Sequence, residues 1–313
     1  MRRRDVLSGL AATAAVTTWP WQGHASAAKP RPADLLSAAN KDVPPVAPPA
    51  LAGRLANARR AFRASHYDDL ANQLAELIAA AAATRRHREG GDRDAATGVL
   101  AASYRLASEL CVKRNDDALA WVLADRGLAT ARSSGQPAPI ALASRSVAIA
   151  MRRAGHHDDA VALLSTNATQ LQPGGRPTDA DLATYGSLLC TAAYARAQAG
   201  NRGDAGTLIA EATDAASRVA ASVNAGEVMF SPTNVAVYKI GIYTALDDSV
   251  AALEHASTVD VRLSSIHRSA TRGTASTPPE PGNSTGALTE PPTPCTPPRR
   301  VPPKNYGAHR RMN

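Results

Sequence analysis

Five side chains stand out as groups able to hold a ligand: Arg145, Arg152, Tyr194, Asn234 and Tyr238. Arginine grips a carboxylate through two parallel hydrogen bonds, and asparagine pairs with extended peptide backbone as both donor and acceptor. Arg145 and Asn234 stand in otherwise apolar stretches, where a polar side chain buried without a partner is costly. They are candidates for gripping a peptide, with the tyrosines as flat apolar surface and Arg152 as added charge one helical turn beyond Ile149. Each has a plainer reading as well. The tyrosines serve equally as core aromatics, and Arg145 as the partner of an internal acid.

Other chemistry has little to stand on. The run His156-His157-Asp158-Asp159 has the residue types of a metal cluster. Adjacent residues at a helix entry point in different directions, so a solvated turn is the expected reading and no metal site is assigned. There is no HExxH, CxxC, phosphate-binding loop or nucleophile elbow, so neither a catalytic residue nor a cofactor is expected. Cys111 and Cys190 fall within helical patterns and read as buried free thiols, while Cys295 lies in the proline-rich tail.

The elements that carry these residues are helices. Between 51 and 259 apolar residues recur at three- and four-residue spacing, with no strand-like alternation. A turn signal ending in an acid recurs five times, as Tyr67-Asp68-Asp69, Asn115-Asp116-Asp117, His157-Asp158-Asp159, Arg202-Gly203-Asp204 and Leu246-Asp247-Asp248. The final acids are spaced by 48, 42, 45 and 44 residues, and each is followed by a second apolar helical pattern. Acids in a first turn face the positive end of the helix dipole. Gly155 and Gly200 are suited to ending the helix before the turn. Gly135-Gln136-Pro137, Gln172-Pro173-Gly174-Gly175 and Ser231-Pro232 separate one helix pair from the next. Fourteen residues before the final acid, the last four units have Ser103, Arg145, Cys190 and Asn234; ten before it they have Ala107, Ile149, Tyr194 and Tyr238. Positions four apart share a helix face.

Ala154-Gly155-His156-His157-Asp158-Asp159-Ala160 and Ala199-Gly200-Asn201-Arg202-Gly203-Asp204-Ala205 resemble the turn of tetratricopeptide repeats, although this repeat is longer than the usual 34 residues. The segments 146–156 and 231–238 are similar to the C-terminal region of actinobacterial helix-turn-helix regulators, over roughly 49–260 and without a DNA-binding domain before it. The resemblance implies an all-α chain, a right-handed superhelix of antiparallel helix pairs in the manner of a tetratricopeptide solenoid. It also implies that the two first-helix positions line a concave groove for peptides.

The ends differ from the repeat. Overall 44% of residues are hydrophobic but only 4% aromatic, and the net charge is +8. Residues 51–259 contain 21 basic and 21 acidic residues, so the surplus lies wholly outside them and a nucleic-acid partner is not expected for the core. Residues 1–28 read as an export signal of twin-arginine type, with Arg3 and Arg4, a short apolar run and cleavage between Ala27 and Ala28. Too few apolar residues are present there for a stable membrane anchor. Residues 29–48 read as a Pro-rich linker with a short turn at 34–39. Residues 261–313 read as a basic, disordered tail with ten prolines and the sequon Asn283-Ser284-Thr285. Two origins fit that tail: a functional extension, or the product of a shifted reading frame in a GC-rich gene. The expectation is an exported, non-catalytic module binding a peptide or protein segment. The alternative is a cytoplasmic sensor half of a transcriptional regulator that has lost its helix-turn-helix domain.

Overall fold

The computed structural model describes residues 34–171, 177–219, 230–257 and 259. The twin-arginine start, the cleavage position and the tail from 261 lie outside the described residues. Of two compact units, Met1–Ile266 holds everything described, and His267–Asn313 lies outside it.

Every regular element among the described residues is helical. Short turns of helix at α1 (Asp34–Ser37) and Ala38–Asn40 come first. Then follow α2 (Pro48–Arg63), α3 (Tyr67–His87), α4 (Gly90–Lys113), α5 (Asp117–Arg132), α6 (Pro137–Arg153), α7 (His157–Gln170), α8 (Asp179–Gln198), α9 (Arg202–Arg218), α10 (Pro232–Ala245) and α11 (249–257). Proline opens α2, α6 and α10, where its missing N–H costs nothing. A reciprocal cap between Thr178 and Asp181 opens α8. Alanine does the rest: Ala79–Ala83 of α3 are all buried, a run of small side chains that lets neighbouring helices approach closely.

The five turns share one backbone geometry. The residue in the left-handed region is Ser65, Asn115, Gly155, Gly200 and Asp247 in turn, with φ between 57° and 88°. In each, the left-handed residue's N–H bonds the carbonyl three positions back, as Ser65 to Phe62 and Gly200 to Ala197. The next N–H reaches five positions back, as His66 to Ala61 and Asn201 to Arg196. This paired-bond cap ends the first helix of every pair. The left-handed residues are 50, 40, 45 and 47 positions apart, which differs from the spacing of the acids. The acids occupy two different places. Asp116 and Asp248 cap the next helix, accepting from Leu119 N–H and Ala251 N–H, whereas Asp68, Asp69, Asp158 and Asp159 lie in its first turn.

Successive turns are tied by arginine. Arg114 donates to the Tyr67 carbonyl at 2.7 Å and stands 3.7 Å from Asp68. Arg153 meets both oxygens of Asp117 at 2.5 and 3.1 Å, Arg196 meets Asp158 at 2.5 Å, and Arg202 meets Asp248 at 2.9 Å. Such surface pairs contribute little energy singly, about 0–1 kcal/mol, but they hold the turns in one row.

Packing follows the chain order, with one further rule. Each first helix also packs on the first helix of the next pair: α2 on α4, α4 on α6, α6 on α8, and α8 on α10. The second helices α3, α5, α7 and α9 have no contact of that extent with one another. The first helices therefore form one continuous layer, and the second helices stand apart behind it.

The stretch read as a linker is, from Asp34 onward, part of the fold. Leu35 and Ala38 are fully buried in the same core as α2, α3 and α4. Thr84 Oγ1 accepts from Val46 N–H at 2.8 Å and donates to the Ala80 carbonyl at 2.8 Å. Arg86 donates to the Ala39 carbonyl at 2.7 Å, and Arg126 donates to the Leu36 carbonyl. The prolines suggested an open chain, but backbone carbonyls offered to two arginines and two apolar side chains are sufficient to dock it.

Candidate functional site

Counted back from the left-handed turn residue, one helix face recurs in all five pairs. Six residues before it stand Arg59, Glu109, Ile149, Tyr194 and Gly241, and every one of them lines one of two adjoining depressions. Ten residues before it, Arg105, Arg145 and Val237 line the same surface; three before it, Phe62, Val112 and Arg152 do. Offsets of ten, six and three fall on one side of a helix. The lining is thus a property of the first-helix layer.

The larger depression has a volume of about 560 Å³ and is bordered by α2, α4, α6 and α10. Arg59, Arg63, Arg105, Lys113, Arg145 and Arg152 line it against the single acid Glu109. A region with no net charge between 51 and 259 thus brings six of its 21 basic residues to one depression.

Arg145 sits at its centre. Its Nε donates to Thr191 Oγ1 at 3.0 Å and its Nη2 to Tyr238 Oη at 2.7 Å. Glu109 Oε1 lies 3.9 Å from Arg145 Nη1 and 3.4 Å from Arg105 Nη1. The side chains of Arg105, Arg145 and Glu109 are 9%, 17% and 24% exposed. Burial works against the charge of Arg145, and Tyr238 and Glu109 more than offset it, so its pKa is held above the usual arginine value. Arg145 therefore faces an internal acid and also lines the depression.

Arg152 stacks over the Tyr194 ring, 4.3 Å from its centroid, and donates to Gln198 at 2.6 Å. Burial lowers its pKa from the usual arginine value. Its Nε and the hydroxyl of Ser146, both on residues of the depression, are buried without a protein partner.

Four of the five residues singled out from sequence come together here: Arg145, Arg152, Tyr194 and Tyr238. Asn234 does not. It stands at the N-terminal end of α10, where its N–H bonds Ser231 Oγ at 3.2 Å and its side-chain oxygen accepts from the same hydroxyl at 2.8 Å. Its polarity serves the helix start. Ser103 and Ala107 are likewise fully buried in the core. Arg105 and Glu109 were missed because Asp117, the final acid of the second turn, lies two positions nearer its left-handed residue than Asp69 and Asp159 lie to theirs. Arg59 stands ten residues before Asp69, in a first unit to which the register was not applied.

The histidine run has no ligand geometry. His156 caps α7 and lies edge-on to Trp121. Among the described residues there is no group of three or more side chains suited to a metal. Cys111 and Cys190 are buried free thiols, each pushed up to about 12 chiefly by burial. No described helix is long and apolar enough to cross a membrane.

No protein-family model matches the chain, and no curated protein matches it. Among solved structures there is a likeness to BtubC (BKLC) from P. vanneervenii, at 15% identity over 78% of this chain and 96% of that one, with a TM-score of 0.43.

Proposed function

We propose that this is a non-catalytic helical-repeat module of tetratricopeptide-like build that binds an acidic peptide or protein segment along its first-helix layer. In this reading the five helix pairs wind as a right-handed superhelix, with the first helices on the concave side. The observation that carries it is the face repeated in every pair, with Arg59, Arg105, Arg145 and Arg152 brought to one depression. Such a surface attracts carboxylates, and buried arginines hold them by paired hydrogen bonds in a setting that water screens weakly. A folded partner presenting an extended acidic segment fits equally.

The test is titration of a labelled Asp/Glu-rich peptide against the full chain at two ionic strengths. Arg105→Ala and Arg59→Ala are expected to weaken binding by about tenfold each, and added salt to weaken it further. Binding that is indifferent to both substitutions overturns the groove. An oligonucleotide bound as tightly as the peptide overturns the choice of partner.

Export through Arg3 and Arg4 is part of the same reading. A mature chain beginning at Ala28 outside the cytoplasm supports it, and a cytoplasmic chain retaining those arginines overturns it in favour of an intracellular sensor.

A further inference from the structure

The smaller depression, about 210 Å³, adjoins the basic one and shares Ile149, Arg152 and Tyr238 with it. Its other walls are Thr191, Tyr194, Val237 and Gly241. Most of the polar groups at this spot are engaged with one another, Arg152 Nε being an exception. The Thr191 hydroxyl donates to the Ser187 carbonyl at 2.9 Å and accepts from Arg145, and the Tyr238 hydroxyl accepts from Arg145. Arg152 has its guanidinium on the Tyr194 ring and one nitrogen on Gln198.

What faces the space is mainly apolar: Ile149, the two tyrosine rings and Val237, which is 52% exposed. Gly241 leaves bare helix backbone in the wall. A Cβ there would stand 3.5 Å from Tyr194 Cζ, an ordinary contact, so close packing does not demand the glycine. A glycine inside a helix costs about 0.5–1 kcal/mol relative to alanine. Here its effect is to keep the space open.

Resting on the reading that the basic depression binds an acidic segment, we infer that the same segment carries one large aliphatic or aromatic side chain, which occupies the space beside Tyr194 and Gly241. The acids select the groove and the apolar side chain sets the register. Arg152, lining both depressions, is the boundary between them. A polyanion with no apolar group fills only the first half of this site.

The experiment uses the full chain and a set of fluorescein-labelled acidic peptides, each with a single Leu at a different distance from an Asp-Glu pair. The same peptides with Ser in place of Leu are the controls. Burying a leucine side chain corresponds to about tenfold or more in affinity. One register is expected to exceed its Ser control by about that factor. Gly241→Leu, which fills the space, is expected to abolish the preference, so that each Leu peptide binds no better than its Ser control. Val237→Ser, a change at an exposed position, is expected to shrink it, which covers the case in which Gly241→Leu does not fold. Acidic peptides that bind with no leucine preference in any register overturn this inference and leave the basic groove standing. A preference that survives both substitutions overturns the location. Failure of every acidic peptide to bind overturns the groove itself, and this inference with it.

Discussion

Arg145 and Tyr238 are 93 positions apart and joined by a 2.7 Å hydrogen bond from guanidinium to hydroxyl. The arginine belongs to the third helix pair and the tyrosine to the fifth. Through Nε the same guanidinium holds Thr191 of the fourth, and it faces Glu109 of the second. One planar group with donors in fixed directions is thus set among four pairs. Lysine, a single point of charge, cannot do the same.

That arrangement predicts energetic coupling. Tyr238→Phe should destabilise by about 1.5–3 kcal/mol, the range for a hydrogen bond to a charged group. Arg145→Met and Tyr238→Phe together should cost less than their sum by about 0.5–3 kcal/mol, as for residues in one network. Urea unfolding of the two single variants and the double variant measures this. Additivity within about 0.5 kcal/mol would show that the bond contributes nothing in solution.

Gly186 of α8 holds Phe230 in place by having no side chain. A Cβ at 186 would fall 2.0 Å from Phe230 Cζ, inside the ring's own volume. Phe230→Ala is expected to cost about 3–5 kcal/mol, as a buried phenylalanine lost. Gly186→Ala is expected to cost about 1–3 kcal/mol by overpacking. Because both act on one contact, adding Gly186→Ala to Phe230→Ala should cost nothing further or recover stability. Thermal melts of the three variants decide it, and full additivity would refute the close approach.

The shared turn predicts opposite signs for similar substitutions. Gly155→Ala and Gly200→Ala place a Cβ in the left-handed region and should each cost about 1–2 kcal/mol. Ser65→Gly removes that strain in the first turn and should stabilise by less than about 1 kcal/mol, since glycine also gains freedom in the unfolded chain. A destabilised Ser65→Gly variant would contradict the backbone geometry assigned to that turn.

Cys111 and Cys190 predict a response to alkali. Their thiols have an ordinary value of 9.0 and are pushed up to about 12 in the fold, chiefly by burial. Between those values the unfolded chain loses protons that the folded chain keeps, so stability falls as pH rises above about 9. Below 9 both states hold the proton and the contribution is absent. A Cys111→Ala, Cys190→Ala chain should lose less stability between pH 9 and 10.5 than the parent, by parallel urea titrations. Equal losses would mean that these thiols are open to water.

The all-helical fold was legible because it rests on local signals: alanine-rich periodicity, prolines at three first-helix starts and five recurrent turns. The register was legible where the landmark acid lies four positions beyond the left-handed residue, as at Ser65, Gly155 and Gly200. In the third and fourth pairs Gly155 and Gly200 occupy the left-handed position, and Arg145, Arg152 and Tyr194 were placed on the right face. In the second and fifth pairs Asn115 and Asp247 take it, and the landmark acids Asp117 and Asp248 lie only two and one positions beyond it, instead of four. Ser103 and Asn234 were therefore selected where Arg105 and Val237 stand. Tyr238 was found because its ring is long enough to reach the groove from a neighbouring position. The docking of residues 34–47 carried no periodic signal, since it depends on Arg86 and Arg126 far along the chain.

The layering of the helices has a mechanical consequence. First helices are joined along the whole row, while the second helices α3, α5, α7 and α9 stand apart from one another. Tension applied between residues 34 and 257 therefore loads the first-helix junctions and, beside them, the Arg145 bonds that join the third pair to the fourth and fifth. Pairs should yield singly except where Arg145 makes them give way together. With 40–50 residues between successive turns, each step pays out roughly 130–180 Å of extended chain. Pulled in this way, the chain should lengthen in a few discrete increments, which force spectroscopy would record.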